Sequence, residues 1–372
     1  MDRLTSRDTG KAVGAAATEI TGLFRGPCVT CETSMPSLED AVQQLKSDQL
    51  VAIPTETVYG LAAAIDSEPG IKKIFASKKR PFFDPLIVHV SSKSMAKKLT
   101  TDWSPMADYL AEHFWPGPLT LILPKNPSIN PLITSGLETV GIRMPRHSLA
   151  LSLIDLLGMP VAAPSANRFG RTSPTTAQHV KSEFPDENFL ILDGGPCDVG
   201  LESTVISIHR NHKDQYELSI LRSGQVTQTE IEQSLTPKFQ FRFVTTGDKK
   251  SSPGQMKHHY MPEIPLILVK DPTLTEAKII EQTVARLTEL PDEVESVQIR
   301  KPKHLNQISE MILPEEASLA ARMLYSELRR LSETGLSQAI YFRIHHFHQL
   351  EEWKAAMDRL NKAASLVLNG SL

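Results

Sequence analysis

Apolar residues recur along this chain in short blocks divided by polar turns. The spacing of Leu38, Ala41, Val42 and Leu45 predicts a helix with acidic residues in its first turn. Val51–Ile53 reads as a short buried strand, ended by Pro54, which has no N–H to donate; Gly60 is expected to allow a turn. Ile71, Ile74 and Phe75 mark one face of a helix over about Gly70 to Ser77, which ends in Lys78-Lys79-Arg80-Pro81. The runs Leu86–Val90, Leu119–Leu123, Val140–Met144, Val161–Pro164, Leu190–Leu192, Ser203–Ile208 and Leu218–Leu221 predict strands. A helix is expected around Ser148–Leu157, and another from Ser173-Pro174, with serine as cap and proline in the first turn.

This mixture predicts an α/β domain over 36–235. Residues 236–263 are polar, basic and poor in apolar periodicity, the composition of a linker. Beyond them, Leu266–Val269, a helix over Thr275–Leu290, Val297–Arg300, and long helices Glu315–Glu333 and Leu350–Leu368 flanking the strand Ala339–Ile344 predict a smaller Rossmann-like α/β domain over 264–372. Residues 1–35, rich in Ala, Gly, Thr and Ser, read as a poorly ordered extension.

At 372 residues, two domains are the natural expectation, and 40% hydrophobic with 22% charged residues is ordinary for a soluble protein. The net charge of −3 gives no global attraction to nucleic acid or membrane, although local basic clusters still bind phosphate. No stretch approaches the ~20 apolar residues of a membrane span, the first ten residues lack the apolar core of a secretory signal, and three cysteines make no disulfide framework, which points to a reducing cytoplasm. Cys28 and Cys31 form one CxxC without the second pair that a structural zinc site wants, so they read as free thiols. Neither a GxGxxG loop nor a GxxxxGKS/T loop is present.

Polar groups collect at strand ends. Thr55, Glu56, Thr57 and Tyr59 crowd hydroxyls and a carboxylate into five residues. Lys78 and Arg80 suit a polyphosphate or carboxylate, and equally complement a helix dipole. Ser165 and Asn167 suit phosphate oxygens or a turn, and His89 suits a satisfied core histidine or a ligand. Arg143, between Ile142 and Met144 on a buried strand, needs a partner. Glu202-Ser203-Thr204 and Arg222-Ser223-Gly224 repeat the pattern.

The order of these blocks resembles the threonylcarbamoyl-AMP synthase family in its long form, a YrdC-like catalytic domain with a twisted mixed sheet followed by a second domain. The resemblance rests on PTETVYGL at 54–61, KIFASKKRP at 73–81, PLIVHV at 85–90, FWPGPLTLIL at 114–123, GIRMP at 141–145, APSAN at 163–167, ESTV at 202–205 and LRSG at 221–224. SPGQMKHHYMP at 252–262 resembles the linker motif, and ARMLYSELRRL at 321–331 and AAMDRLNKAA at 355–364 resemble the terminal domain.

The resemblance implies a nucleotidyltransferase that joins L-threonine, bicarbonate and ATP into threonylcarbamoyl-adenylate with release of pyrophosphate, for partner machinery that modifies the adenosine beside the anticodon of tRNA. It implies that Lys78 and Arg80, as catalytic groups, grip the nucleotide with Ser165, Asn167, Ser173 and Arg222. Thr55, Tyr59, His89, Arg143 and Ser203 are the matching positions for threonine, with Arg143 the partner of its carboxylate. Mg²⁺ is expected to arrive on ATP, with no protein-bound cofactor. The linker is expected to act as a lid through His259 and Tyr260, keeping water from a labile adenylate. Lys79 stands where the family usually has glycine, adding charge and bulk near the phosphates, and Ser223 where it usually has proline. Two other readings are a double-stranded RNA-binding module without ATP turnover and a hydrogenase-maturation carbamoyl transferase. The second is disfavoured because such proteins carry paired CxxC motifs and this chain has one.

Overall fold

The first helix, Leu38–Lys46, opens on Ser37, whose side chain accepts the Asp40 N–H while the Asp40 carboxylate accepts the Ser37 N–H, satisfying donors that a helix start leaves bare. The computed structural model describes residues 37–245, 258–286, 293–294, 297–300, 302 and 304–369. The 1–35 extension, Cys28, Cys31 and the linker around Pro253-Gly254 lie outside the described residues. Met35–Leu372 forms one compact unit.

Ten strands form a mixed sheet: β1 (Val51–Ile53), β2 (Gly60–Ala64), β3 (Ile87–His89), β4 (Leu119–Pro124), β5 (Thr139–Arg143), β6 (Val161–Ala162), β7 (Leu190–Ile191), β8 (Thr204–Arg210), β9 (Tyr216–Arg222) and β10 (Phe241–Phe243). Their order is β10-β9-β8-β4-β5-β3-β6-β2-β1-β7. Alternation along the strands divides the interior into two layers. Ala52, Leu61, Ala63, Val88 and Ile142 pack on helices Glu68–Lys78 and Pro105–Phe114. Val51, Ile53, Ala62, Ala64 and Val161 face helices Leu38–Lys46 and Ser148–Leu157 on the other side.

A second sheet holds β11 (Leu266–Val269), β14 (Ile308–Glu310), β15 (Ala339–Arg343) and β16 (Leu366–Leu368), all parallel, in the order β14-β15-β11-β16. Separately, β12 (Glu293–Val294) pairs antiparallel with β13 (Val297–Gln298). Helices Ala317–Glu333 and Lys354–Ala363 bring Leu324, Leu328 and Leu360 into the second core, which also takes Val58, Leu201 and Tyr260. The second half therefore shares its core with the loops of the first.

The structure differs from the sequence reading in five places. Gly60 opens β2, paired with Ile53, where a Cβ would stand 3.2 Å from that of Ala163; close packing asks for glycine there. No helix starts at Ser173-Pro174; it begins at Ala177 under a Thr176 cap, because Ser173 spends its hydroxyl on Glu202. Phe241–Phe243, in the expected linker, is an edge strand parallel to β9. Val297–Gln298 pairs antiparallel with Glu293–Val294 and not in the parallel sheet, whose edge is Ile308–Glu310. The helix expected over Leu350–Leu368 ends at Ala363, and Leu366–Leu368 pairs with β11.

Candidate active site

Ile87 and His89, two residues apart on β3, point to one sheet face, and Arg143 is the register partner of His89 on β5. This part of the face is the floor of a cleft. Thr55, Thr57, Arg80, Ser165, Glu202 and Arg222 line it together with His259 and Tyr260.

Three arginines converge there from distant sequence blocks. Arg80 pairs with Asp84 at 2.9 Å and donates to the carbonyls of Asp84 (3.1 Å) and Pro85 (2.8 Å). Arg143 donates to Thr57 Oγ1 (2.8 Å), the Gly117 carbonyl (3.2 Å) and Glu56 Oε2 (2.6 Å). Glu56 thus supplies the partner that a charge on a buried strand requires. Arg222 donates from Nε to the Ser203 carbonyl and from Nη2 to Ser203 Oγ, both at 3.1 Å. Ser203 Oγ also shares a hydrogen bond with Thr120 at 2.8 Å. Thr55 Oγ1 donates to the Val58 carbonyl (2.6 Å) and accepts the Thr57 and Val58 N–H groups, which fixes the loop after β1. Burial, reinforced by the charge of Arg143, pushes His89 down to about 3, so its ring is neutral near pH 7.

Lys78 and Arg80 part company at the helix end. Lys79 adopts a left-handed conformation (φ 51°, ψ 37°), with its N–H on Ala76 and the Arg80 N–H on Phe75. Arg80 therefore enters the cleft, whereas the buried Lys78 ammonium binds the carbonyls of Ser165 (2.6 Å) and Asn167 and fixes that loop. Burial, then the Arg80 charge, lowers the Lys78 pKa well below the ordinary lysine value. Asn167 donates to the carbonyls of Arg168 (2.7 Å) and Arg171 (2.8 Å), leaving its buried Oδ1 without a partner among the described residues. Lys78, Asn167, Ser173, Ser203 and Tyr59 stand behind the cleft wall, outside its lining. Tyr59 turns to the opposite core, between Val58 and Gly60 that face the cleft. Its hydroxyl donates to the Gly195 carbonyl (2.8 Å) and accepts the Gly194 N–H (3.1 Å).

Glu202, which sequence reasoning treated only as a polar strand end, faces the cleft and accepts hydrogen bonds from Ser173 (2.6 Å), Tyr325 (2.9 Å) and Arg359 Nε (2.9 Å). Burial alone would raise its pKa; Arg359, then Arg222 and the hydrogen bonds, hold it down at about 2. Tyr260, at φ 66°, stacks on Tyr325 with ring centroids 5.8 Å apart, and the Arg359 guanidinium lies 5.2 Å from its ring. The Tyr260 carbonyl accepts from Thr172 (3.1 Å), and burial leaves the His259 ring neutral, at about 3. Thr57, Glu56 and Glu202 were read from the sequence only as polar groups at strand ends, with no role in the site; for Glu56 the further signal was the unmet demand of Arg143. Among the described residues no group of three or more His, Cys, Asp or Glu is placed to hold a metal ion, and no helix is long and apolar enough to cross a membrane.

Residues 43–224 match a family model, Sua5_yciO_yrdC, described as telomere recombination, and residues 226–365 match the threonylcarbamoyl-AMP synthase C-terminal domain. A threonylcarbamoyl-AMP synthase of Pyrococcus abyssi is 36% identical over 325 residues, covering 86% of this chain and 92% of that protein. One of Schizosaccharomyces pombe is 32% identical, covering 90% of each, and one of Bacillus subtilis is 43% identical over 63% of this chain and 67% of its own length. The crystal structure of P. abyssi Sua5 complexed with L-threonine superposes with a TM-score of 0.74 at 32% identity, covering 89% of this chain and 96% of that one. With both sheets and both halves matched in this way, the chain belongs to the threonylcarbamoyl-AMP synthase family, in its long two-domain form.

Proposed function

We propose that the cleft condenses L-threonine, bicarbonate and ATP into threonylcarbamoyl-adenylate and releases pyrophosphate. The observation that carries the reading is the convergence of Arg80, Arg143 and Arg222 on one small cleft with the hydroxyls of Thr55, Thr57 and Ser165. All the substrates are anions or carry a carboxylate, and fixed guanidinium forks suit carboxylate and phosphate oxygens. The threonine complex of P. abyssi Sua5 supports the amino-acid half. Arg143, beside neutral His89, takes the threonine carboxylate, with Thr55 and Thr57 on the same wall. Arg80 and Arg222 take the nucleotide phosphates, Ser165 hydrogen-bonds an oxygen of the adenylate, and Lys78, Asn167, Ser173 and Ser203 hold these groups in place from behind.

Threonine and bicarbonate give N-carboxy-threonine with loss of water, and its carboxylate oxygen attacks the α-phosphorus of ATP as pyrophosphate leaves. Such a step needs alignment and charge neutralisation more than a covalent nucleophile. ATP enters as its magnesium complex, the ion held by phosphate oxygens that suit a hard cation. His259 and Tyr260 exclude water from the adenylate until it passes to the machinery that modifies tRNA. The test is pyrophosphate release from ATP by the full chain. It should require both threonine and bicarbonate, and Arg80→Ala should slow it about tenfold or more, the worth of one charge-assisted contact. Release that ignores threonine would reject the reading.

A further inference from the structure

Two of the three cleft arginines have a carboxylate of their own: Arg80 has Asp84 at 2.9 Å and Arg143 has Glu56 at 2.6 Å. Arg222 has none in ion-pair distance among the described residues; both its described hydrogen bonds go to Ser203. Yet a carboxylate stands beside it in the cleft lining, that of Glu202, and the field of Arg222 acts on it. What claims Glu202 comes from the second half of the chain. Arg359, wholly buried on the helix Lys354–Ala363, donates Nε to Glu202 Oε2 at 2.9 Å, and Tyr325, on the helix Ala317–Glu333, donates its hydroxyl to the same oxygen at 2.9 Å. Ser173 occupies the other oxygen at 2.6 Å.

We propose that Arg359 and Tyr325 are positioning residues that hold Glu202 off Arg222, so that Arg222 keeps its guanidinium for an anionic substrate oxygen. Without them, a buried carboxylate turns to the nearest cation, because an unpaired charge in a low-dielectric site is costly. That cation is Arg222, and the cleft then presents a negative charge where phosphate must bind. The second half of the chain thereby sets the charge of the cleft through groups that never touch substrate. This inference rests on the nucleotide reading of the cleft.

The test is calorimetric binding of magnesium-ATP to the full chain, wild type against R359M, E202Q and the double variant. R359M should weaken binding about tenfold or more, the loss of one charge-assisted contact. In the E202Q background, where position 202 carries no charge to compete, the same change should cost less than about threefold. Y325F should fall between, and it serves for the cycle with E202Q if R359M does not fold. Equal losses in both backgrounds, or a lower melting temperature with unchanged ATP affinity, would make the pair interdomain glue and overturn the proposal. A wild-type chain that binds no ATP overturns the nucleotide reading as well. E351A, which removes a surface contact between the halves at Thr229, is the control expected to leave ATP affinity alone.

Discussion

Glu56 does not itself line the cleft, yet it decides what Arg143 can do. Both side chains are essentially shut off from solvent, and they meet at 2.6 Å. Removing one member of such a pair strands the other charge in the interior. We expect Glu56→Gln to lower the unfolding free energy by about 3 kcal/mol, read as a shift of the urea midpoint at constant slope. An unmoved midpoint would mean that water reaches Arg143 after all. At this scale the sequence was half legible. A charge between Ile142 and Met144 announces that it needs a counter-charge, but nothing local says that the partner lies 87 residues earlier. His89 shows the same limit: its place on an apolar strand was plain, whereas its neutrality depends on burial and on Arg143 across the strand pair.

The helix Glu68–Lys78 shows what an element can say that a residue cannot. Read as a substitution near phosphates, Lys79 in place of the family's usual glycine threatens the site. In the structure it is the left-handed cap that stops the helix, at φ 51°, and its side chain is exposed. Glycine suits that backbone because it has no Cβ to clash. Lys79→Gly should therefore stabilise the chain by about 1 kcal/mol, seen as a higher melting temperature, and leave the pyrophosphate assay alone. A fall in ATP affinity would instead return Lys79 to the substrate. Gly224, in LRSG, is a different case: a Cβ there would sit 2.3 Å from the Thr204 N, so β8 and the turn after β9 depend on its absence. Strand and helix existence was legible from apolar runs and caps, since Val51–Ile53, Leu266–Val269 and Ser148–Leu157 have the expected limits. Elements that tertiary pairing creates were not. Phe241–Phe243 and Leu366–Leu368 are strands because a neighbouring strand offers them a ladder, and their own composition suggests a linker and a helix.

Across the whole molecule, Glu202 ties the sheet of the first half to residues 123 and 157 positions further on, a separation that no periodicity encodes. The tie carries a pH signature. The folded-state pKa of Glu202, about 2, lies below the ordinary glutamate value of 4.5, so its contribution is complete above about 4.5 and disappears as the pH falls toward 2. The shift corresponds to about 3 kcal/mol. Acid also charges His89 and His259, whose folded values near 3 lie below the ordinary 6.5, so stability drains through them between 6.5 and 3. Comparison with Glu202→Gln separates the carboxylate from His89, which titrates alike in both proteins; the Glu202 charge raises the His259 value, so in the variant that ring charges at still lower pH. The variant should be less stable at pH 7, having lost the ion pair, and should lose less on acidification, so that the two unfolding curves approach each other between pH 4.5 and 2. The gap between them from pH 7 down to about 5 should stay constant, since Glu202 is ionised throughout that range in both the folded and the unfolded chain. Curves that remain parallel to the lowest pH would mean that Glu202 titrates alike in the folded and unfolded chain, and that Arg359 holds it by geometry alone.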